Sequence, residues 1–309
     1  MAEVHLGINN CFAIGRFPEP EEWLRVVKDE LGLEHVQFSV DLLDPVIIDD
    51  EIVRENCAYI RELAEAKGVA IDTVSTGEAA HKFNLLLQPD PGMRRCYLRW
   101  YEKLVRMGTL LGAEASGIYV GSLSQLDDRN PQRRSFLIEV LLEEISYLTF
   151  VARQNGQKYF LWEPMSLPRE LPCTIDETKR MLDLVNKKSY LPVLLCLDVG
   201  HGYLRSSDPR DLDAYAWLRE LAHLSPSIHI QQTDRRGSRH WPFTEEYKAQ
   251  GVIVPEKVLE AIEESGAKKT ILIFEFFYSA HALSEESVIP SMKQSVDYWR
   301  EAIARFYGK

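Results

Sequence analysis

At 309 residues the chain is long enough for two average domains, yet an α/β barrel uses that length as one folding unit. Its 45% apolar share excludes a disordered chain, and its formal net charge of -11 argues against general affinity for nucleic acid, whose phosphates are met by a surplus of Lys and Arg. Cys11, Cys57, Cys96, Cys173 and Cys196 form no CxxC pair, and their odd number fits reduced thiols. The Met-Ala-Glu start has no basic, apolar signal segment, and no apolar run approaches the roughly 18 residues of a membrane span. A cytoplasmic protein with neither nucleic acid nor membrane as partner is expected.

The first unit runs from an apolar segment at residues 5–8 through a Pro-rich turn to an amphipathic stretch at 21–31, with Trp23, Leu24, Val27 and Leu31 on one face. Further strands are predicted at 35–40, 69–74, 115–120, 158–162, 193–197, 227–231 and 270–274, with helical patterns between them. Eight such pairs give roughly 39 residues each, which predicts an α/β fold, a (β/α)8 TIM barrel forming a single domain over 1–309. Enlarged loops are expected after the first, fifth and seventh strands, at 9–20, 164–174 and 232–255, on the face where such barrels carry their chemistry. A doubly wound open sheet is the alternative, but the chain has no GxGxxG after its first strand and no GxxxxGK[ST].

Four of the later apolar runs end in or contain a metal-capable side chain: Phe160-Leu161-Trp162-Glu163, Leu194-Leu195-Cys196-Leu197-Asp198, Ser227-Ile228-His229-Ile230 and Ile271-Leu272-Ile273-Phe274-Glu275. Taken singly, each is as well explained by a strand-end hydrogen bond or salt bridge. Four at equivalent positions point instead to a divalent cation that neutralises buried acids together. Three oxygen ligands and one nitrogen suit Mg, Mn or Co, with Mn the first choice, better than a thiolate zinc site.

His201 follows Asp198 by three residues and is positioned to face a ligand beside the metal, unless it merely closes its loop. Arg235, six residues after His229, is a candidate fork for substrate oxygens. Arg236, Arg239 and His240 next to it form either a phosphate or carboxylate grip or a solvated charged loop. Glu78, His81 and Lys82 after the third strand border the expected pocket. Trp162 and Trp241 offer walls for a sugar face, although an aromatic beside an apolar strand more often packs.

The spacing from Glu163 through Asp198-x-x-His201 and His229-x5-Arg235 to Glu275 resembles the xylose isomerase-like TIM-barrel superfamily, especially its ketose 3-epimerase branch, over nearly the whole chain. Trp162-Glu163-Pro164-Met165-Ser166, Cys196-Leu197-Asp198-Val199-Gly200-His201-Gly202 and His229-Ile230-Gln231-Gln232-Thr233-Asp234 look like the tetrulose-phosphate (erythrulose 1-phosphate) epimerases of erythritol and threitol catabolism. The resemblance implies metal ligands at Glu163, Asp198, His229 and Glu275, acid/base roles for the two glutamates, and substrate contacts at His201 and Arg235. It implies a small ketose or ketose phosphate as partner and a homodimer or tetramer as assembly.

The apurinic-site endonucleases of the same superfamily carry further His and Asp ligands that look absent here: the third and fourth strands end near Ser75 and Tyr119 without a zinc-binding His. The expected chemistry is removal of the C3 proton of a 2-ketose to a cation-stabilised enediolate, with reprotonation on the opposite face and the 235–239 loop gripping a remote phosphate. An aldose-ketose isomerase, an inosose-type dehydratase and a non-catalytic sugar-phosphate-binding barrel are the competing readings.

Overall fold

An apolar run buried on both faces satisfies its backbone only in a ladder with neighbouring strands, and this chain builds eight such ladders. A computed structural model describes residues 1–278 and 285–308. It contains β1 (Glu3–Asn9), β2 (His35–Ser39), β3 (Ala70–Ser75), β4 (Ala115–Ile118), β5 (Tyr159–Trp162), β6 (Val193–Asp198), β7 (Ser227–Ile230) and β8 (Lys269–Phe274), all parallel. β8 pairs with β1 from Glu3↔Lys269 to Ile8↔Phe274 and closes the cylinder. This is the expected (β/α)8 barrel, and every predicted strand is present with its ends moved by one or two residues.

The helices are α1 (Pro20–Arg25), α2 (Asp50–Lys67), α3 (Pro91–Leu110), α4 (Gln125–Arg129), α5 (Pro131–Gln154), α6 (Ile175–Asn186), α7 (Ala214–Leu221), α8 (Glu245–Gln250), α9 (Pro255–Ser265) and α10 (Val288–Tyr307). Side-chain oxygens of Asp90, Asn130 and Thr174 accept the first backbone N–H groups of α3, α5 and α6, which sets where those helices begin. The predicted 21–31 helix divides: α1 passes into a π turn over Val26–Glu30, with Leu31 N donating to Val26 O at 3.0 Å. The wider turn brings Val26 and Val27 both into the core beside Trp23 and Leu24.

Long connections follow β1, β5 and β7 as expected, and also β3 (76–90) and β6 (199–213), where short 3-10 turns keep the chain at the barrel mouth. The main apolar core lies between sheet and helices. A second cluster, Ala115, Ile118, Leu161 and Cys196 backed by Tyr159 and Leu194, plugs the barrel interior and forms the floor beneath the site. Among the described residues no helix is long and apolar enough to cross a membrane.

Candidate active site

Strand geometry delivers four side chains to one point. Glu163 and Glu275 directly follow β5 and β8, Asp198 ends β6, and His229 lies opposite Asp198 in the register of β6 and β7. His229 Nδ1 is 3.1 Å from Glu163 Oε1, 3.2 Å from Glu275 Oε2 and 3.8 Å from Asp198 Oδ2. All four residues are buried, at 1–8% exposure, so three carboxylates share a space from which water is largely excluded.

The imidazole is held from behind. His229 Nε2 lies 2.7 Å from Gln37 Oε1, which also accepts from Asn9 Nδ2 at 3.0 Å, while Gln37 Nε2 donates to Thr73 Oγ1 at 3.1 Å. A carbonyl oxygen that accepts at Nε2 leaves Nδ1 facing the acids. Asn9 Nδ2 also donates to Glu275 Oε1 at 3.0 Å, and Gln231 Nε2 to both oxygens of Asp198 at 2.9 and 3.0 Å. Asn9, Gln37 and Gln231 were not expected as site residues. Their signal in the sequence is a polar amide inside a doubly buried apolar strand or at its end, a position that demands a partner.

Burial raises the Glu163 carboxyl above the usual range, against the pull of His201 and His229. Burial acts on Glu275 in the same sense, but the neighbouring His229, His240 and His201 overcome it and hold that carboxyl below the usual range. Glu163, Asp198 and His229 each offer a ligand atom within 4.8 Å of the others. Such a set, three carboxylates around an imidazole oriented through its far nitrogen, fits a divalent cation, which would neutralise the acids while the ring stays neutral.

His201 and His240 each stand beside one of the two glutamates. His201 Nδ1 is 3.5 Å from Glu163 Oε1 and 3.2 Å from Pro164 O; His240 Nδ1 is 3.3 Å from Glu275 Oε2, with its ring stacked on Phe277 at 3.8 Å. His240 adopts φ +50, and its N–H donates to Gln231 Oε1, so the loop is shaped to aim this ring inward. Glu78 and His81 line one cavity with Glu163 and Glu275, while His201, His240 and Lys82 do not. Burial lowers His81 to about 4, which keeps it neutral against the Tyr119 ring it stacks on at 4.2 Å.

Three other expected contacts lie elsewhere. The Arg235 guanidinium clamps the loop after β6, with Nη1 donating to Val199 O and His201 O at 3.3 and 3.0 Å and Nη2 to Leu212 O at 2.5 Å. Arg239 forks onto Asp234, Nε and Nη2 each at 3.0 Å, and covers the Trp241 ring at 5.4 Å; neither Arg239 nor Trp241 lines the cavity. Trp162 is fully buried in the core outside the barrel, and its indole N–H donates to Leu171 O at 3.0 Å. Strand alternation is the reason: with Glu163 facing in, its neighbour faces out.

The chain belongs to the xylose isomerase-like TIM-barrel family, whose model matches residues 25–307. It is 30% identical over 295 residues to a D-erythrulose 1-phosphate 3-epimerase of Brucella abortus (strain 2308), covering 95% of this chain and 94% of that one, and is an isomerase-class enzyme. A Rhodospirillum rubrum protein provisionally described as a xylose isomerase superposes with a TM-score of 0.89 at 27% identity, over 96% of this chain and 99% of its own. An L-ribulose 3-epimerase, at 17% identity and a TM-score of 0.70 over 100% and 95% of the two chains, shares the fold.

Proposed function

We propose that the protein is a cation-dependent epimerase that inverts C3 of a short 2-ketose, with a tetrulose phosphate such as erythrulose 1-phosphate as substrate. The observation that carries this reading is the pair Glu163 and Glu275, which approach His229 Nδ1 at 3.1 and 3.2 Å from the non-neighbouring strands β5 and β8. Inversion of a carbon requires a proton acceptor and a proton donor on opposite faces of a planar intermediate; moving a carbonyl along the chain requires only one face. The named activity of the Brucella relative supports the same substrate class.

Glu275, whose carboxyl lies below the usual range, takes the C3 proton; Glu163, whose burial favours the neutral acid, returns one to the other face of the enediolate. The reverse reaction exchanges these roles. His201 and His240, beside the two glutamates, orient the carbonyl oxygen and its neighbour, and the apolar floor below excludes water. Glu163, Asp198, His229 and Glu275 would hold the ion, with Mn favoured for three oxygens and one nitrogen, and bound there it supplies Lewis-acid stabilisation of about several kcal/mol. The setting we assign is cytoplasmic erythritol catabolism, by a homodimer or tetramer.

Incubating the Mn-loaded protein with a panel of ketoses and ketose 1-phosphates in heavy water, and locating deuterium by NMR, tests the reading. Label at C3 together with the C3 epimer is expected. Label at C1 or C2 with an aldose product would instead identify an aldose-ketose isomerase, and loss of water a dehydratase. The Glu275→Gln variant should lose C3 exchange while keeping its far-UV circular dichroism; exchange at the wild-type rate would reject the role of Glu275.

A further inference from the structure

Ile118, the last residue of β4, has φ +108, a value far from the left-handed helical well and close to forbidden for a β-branched side chain. Strand alternation gives the strain a purpose. Ile118 pairs in register with Trp162, which faces the outer helices, so a regular strand would send Ile118 outward too. Instead it belongs to the cluster inside the barrel with Ala115, Leu161 and Cys196, and it lines the same cavity as Glu163 and Glu275.

Gly117 before it, at φ +136, shares the distortion: an added Cβ there would stand 2.3 Å from Leu161 O, so the main chain of the neighbouring strand leaves no room for a side chain. The distorted backbone is pinned on three sides: Thr76 N donates to Gly117 O at 3.1 Å, Tyr119 N to Thr76 Oγ1 at 3.2 Å and Glu163 N to Ile118 O at 3.0 Å. The last bond ties the strained residue to the acid/base glutamate next to it.

We infer that Ile118 is the residue that sets the length of sugar the site accepts: its inward side chain is the apolar wall that stops the chain of the ketose. The inference rests on the ketose reading above and deepens it. Ile118 is an apolar member of the lining that Glu163 and Glu275 share, and removing its side chain opens room for carbons further along the chain. One methylene in an apolar pocket discriminates by roughly 10- to 200-fold, so deleting a four-carbon side chain moves the preference measurably.

The test uses the metal-loaded wild type, Ile118→Gly and Ile118→Ala. Erythrulose and fructose are compared, each with and without a 1-phosphate, by C3 deuterium exchange and by calorimetric binding. Both variants should raise the six-carbon over four-carbon ratio, in kcat/KM and in affinity, by about tenfold or more. A ratio within twofold of wild type in both measurements overturns the inference. If the wild type binds the ketoses but exchanges no proton at C3, the epimerase reading fails while the affinity ratio still decides the role of Ile118; binding of neither sugar by any of the three proteins overturns both. The strain has its own readout: Gly is ordinarily the less stable of the two in a strand, so Ile118→Gly melting at or above Ile118→Ala is expected, and the ordinary order rejects a strained backbone.

Discussion

Gln37 accepts from His229 and Asn9 through one oxygen and donates to Thr73 through its nitrogen, so its amide has a single satisfactory orientation and passes it to the imidazole. Gln37→Leu removes that acceptor without touching a carboxylate, and divalent-ion affinity measured by titration calorimetry should fall by about 10- to 100-fold. Arg239, engaged with Asp234 and Trp241, has the opposite forecast: Arg239→Ala should leave KM for ketose 1-phosphates within about twofold, because such an exposed ion pair is worth little. Glu144 on α5 sits far from the chemistry with a buried, unpartnered Oε2, and burial lifts its carboxyl to about 7 despite Arg94. The unfolded chain releases that proton near the ordinary value of about 4.3. Between the two values the folded state binds the extra proton, so stability falls as pH rises through this window. Glu144→Gln should therefore melt higher than wild type at pH 8, by about 1 kcal/mol in a denaturant titration, with the gain shrinking toward pH 5.

At the scale of elements, the connections after β6 and β7 form one device. Arg235 stands in the left-handed region at φ +59 and reaches across to carbonyls on both arms of the β6 loop, which holds His201 over Glu163. Arg235→Ala should lower kcat by about tenfold through a displaced His201, and Arg235→Lys should restore little, since an ammonium cannot span several carbonyls as a planar fork does. A direct grip on substrate would appear instead as a rise in KM with kcat kept. The same elements show what the sequence made legible. Apolar runs buried on both faces announce β5 to β8, and Glu163, Asp198, His229 and Glu275 stand out as polar interruptions of them. The aim of Arg235 was hidden because its acceptors are main-chain oxygens that carry no sequence signature. Gln37 was hidden because its partner lies 192 residues away, a pairing that exists only once the barrel closes. Trp162 needed only the alternation rule: an inward Glu163 sends it outward.

For the whole molecule, closing the cylinder brings carboxylates from three strand ends into one buried pocket on a chain that already carries a net charge of -11. Hydrophobic layers on both sides of the sheet hold that arrangement together, and like charges inside it oppose them. An ion bound only by the folded state stabilises by mass action, about 2.7 kcal/mol when its free concentration is 100 times Kd. For a chain of this size that corresponds to a melting shift of roughly 5 °C. Chelation with EDTA should thus abolish C3 exchange and lower Tm by about this amount while far-UV circular dichroism at 25 °C stays unchanged, since the barrel core does not depend on the ion. Adding back Mn should restore both. The Glu163→Gln variant separates stability from chemistry: with one ligand weakened, its Tm should respond less to Mn than that of the wild type. A wild-type Tm indifferent to both EDTA and Mn would mean that the histidines and amides alone neutralise the pocket.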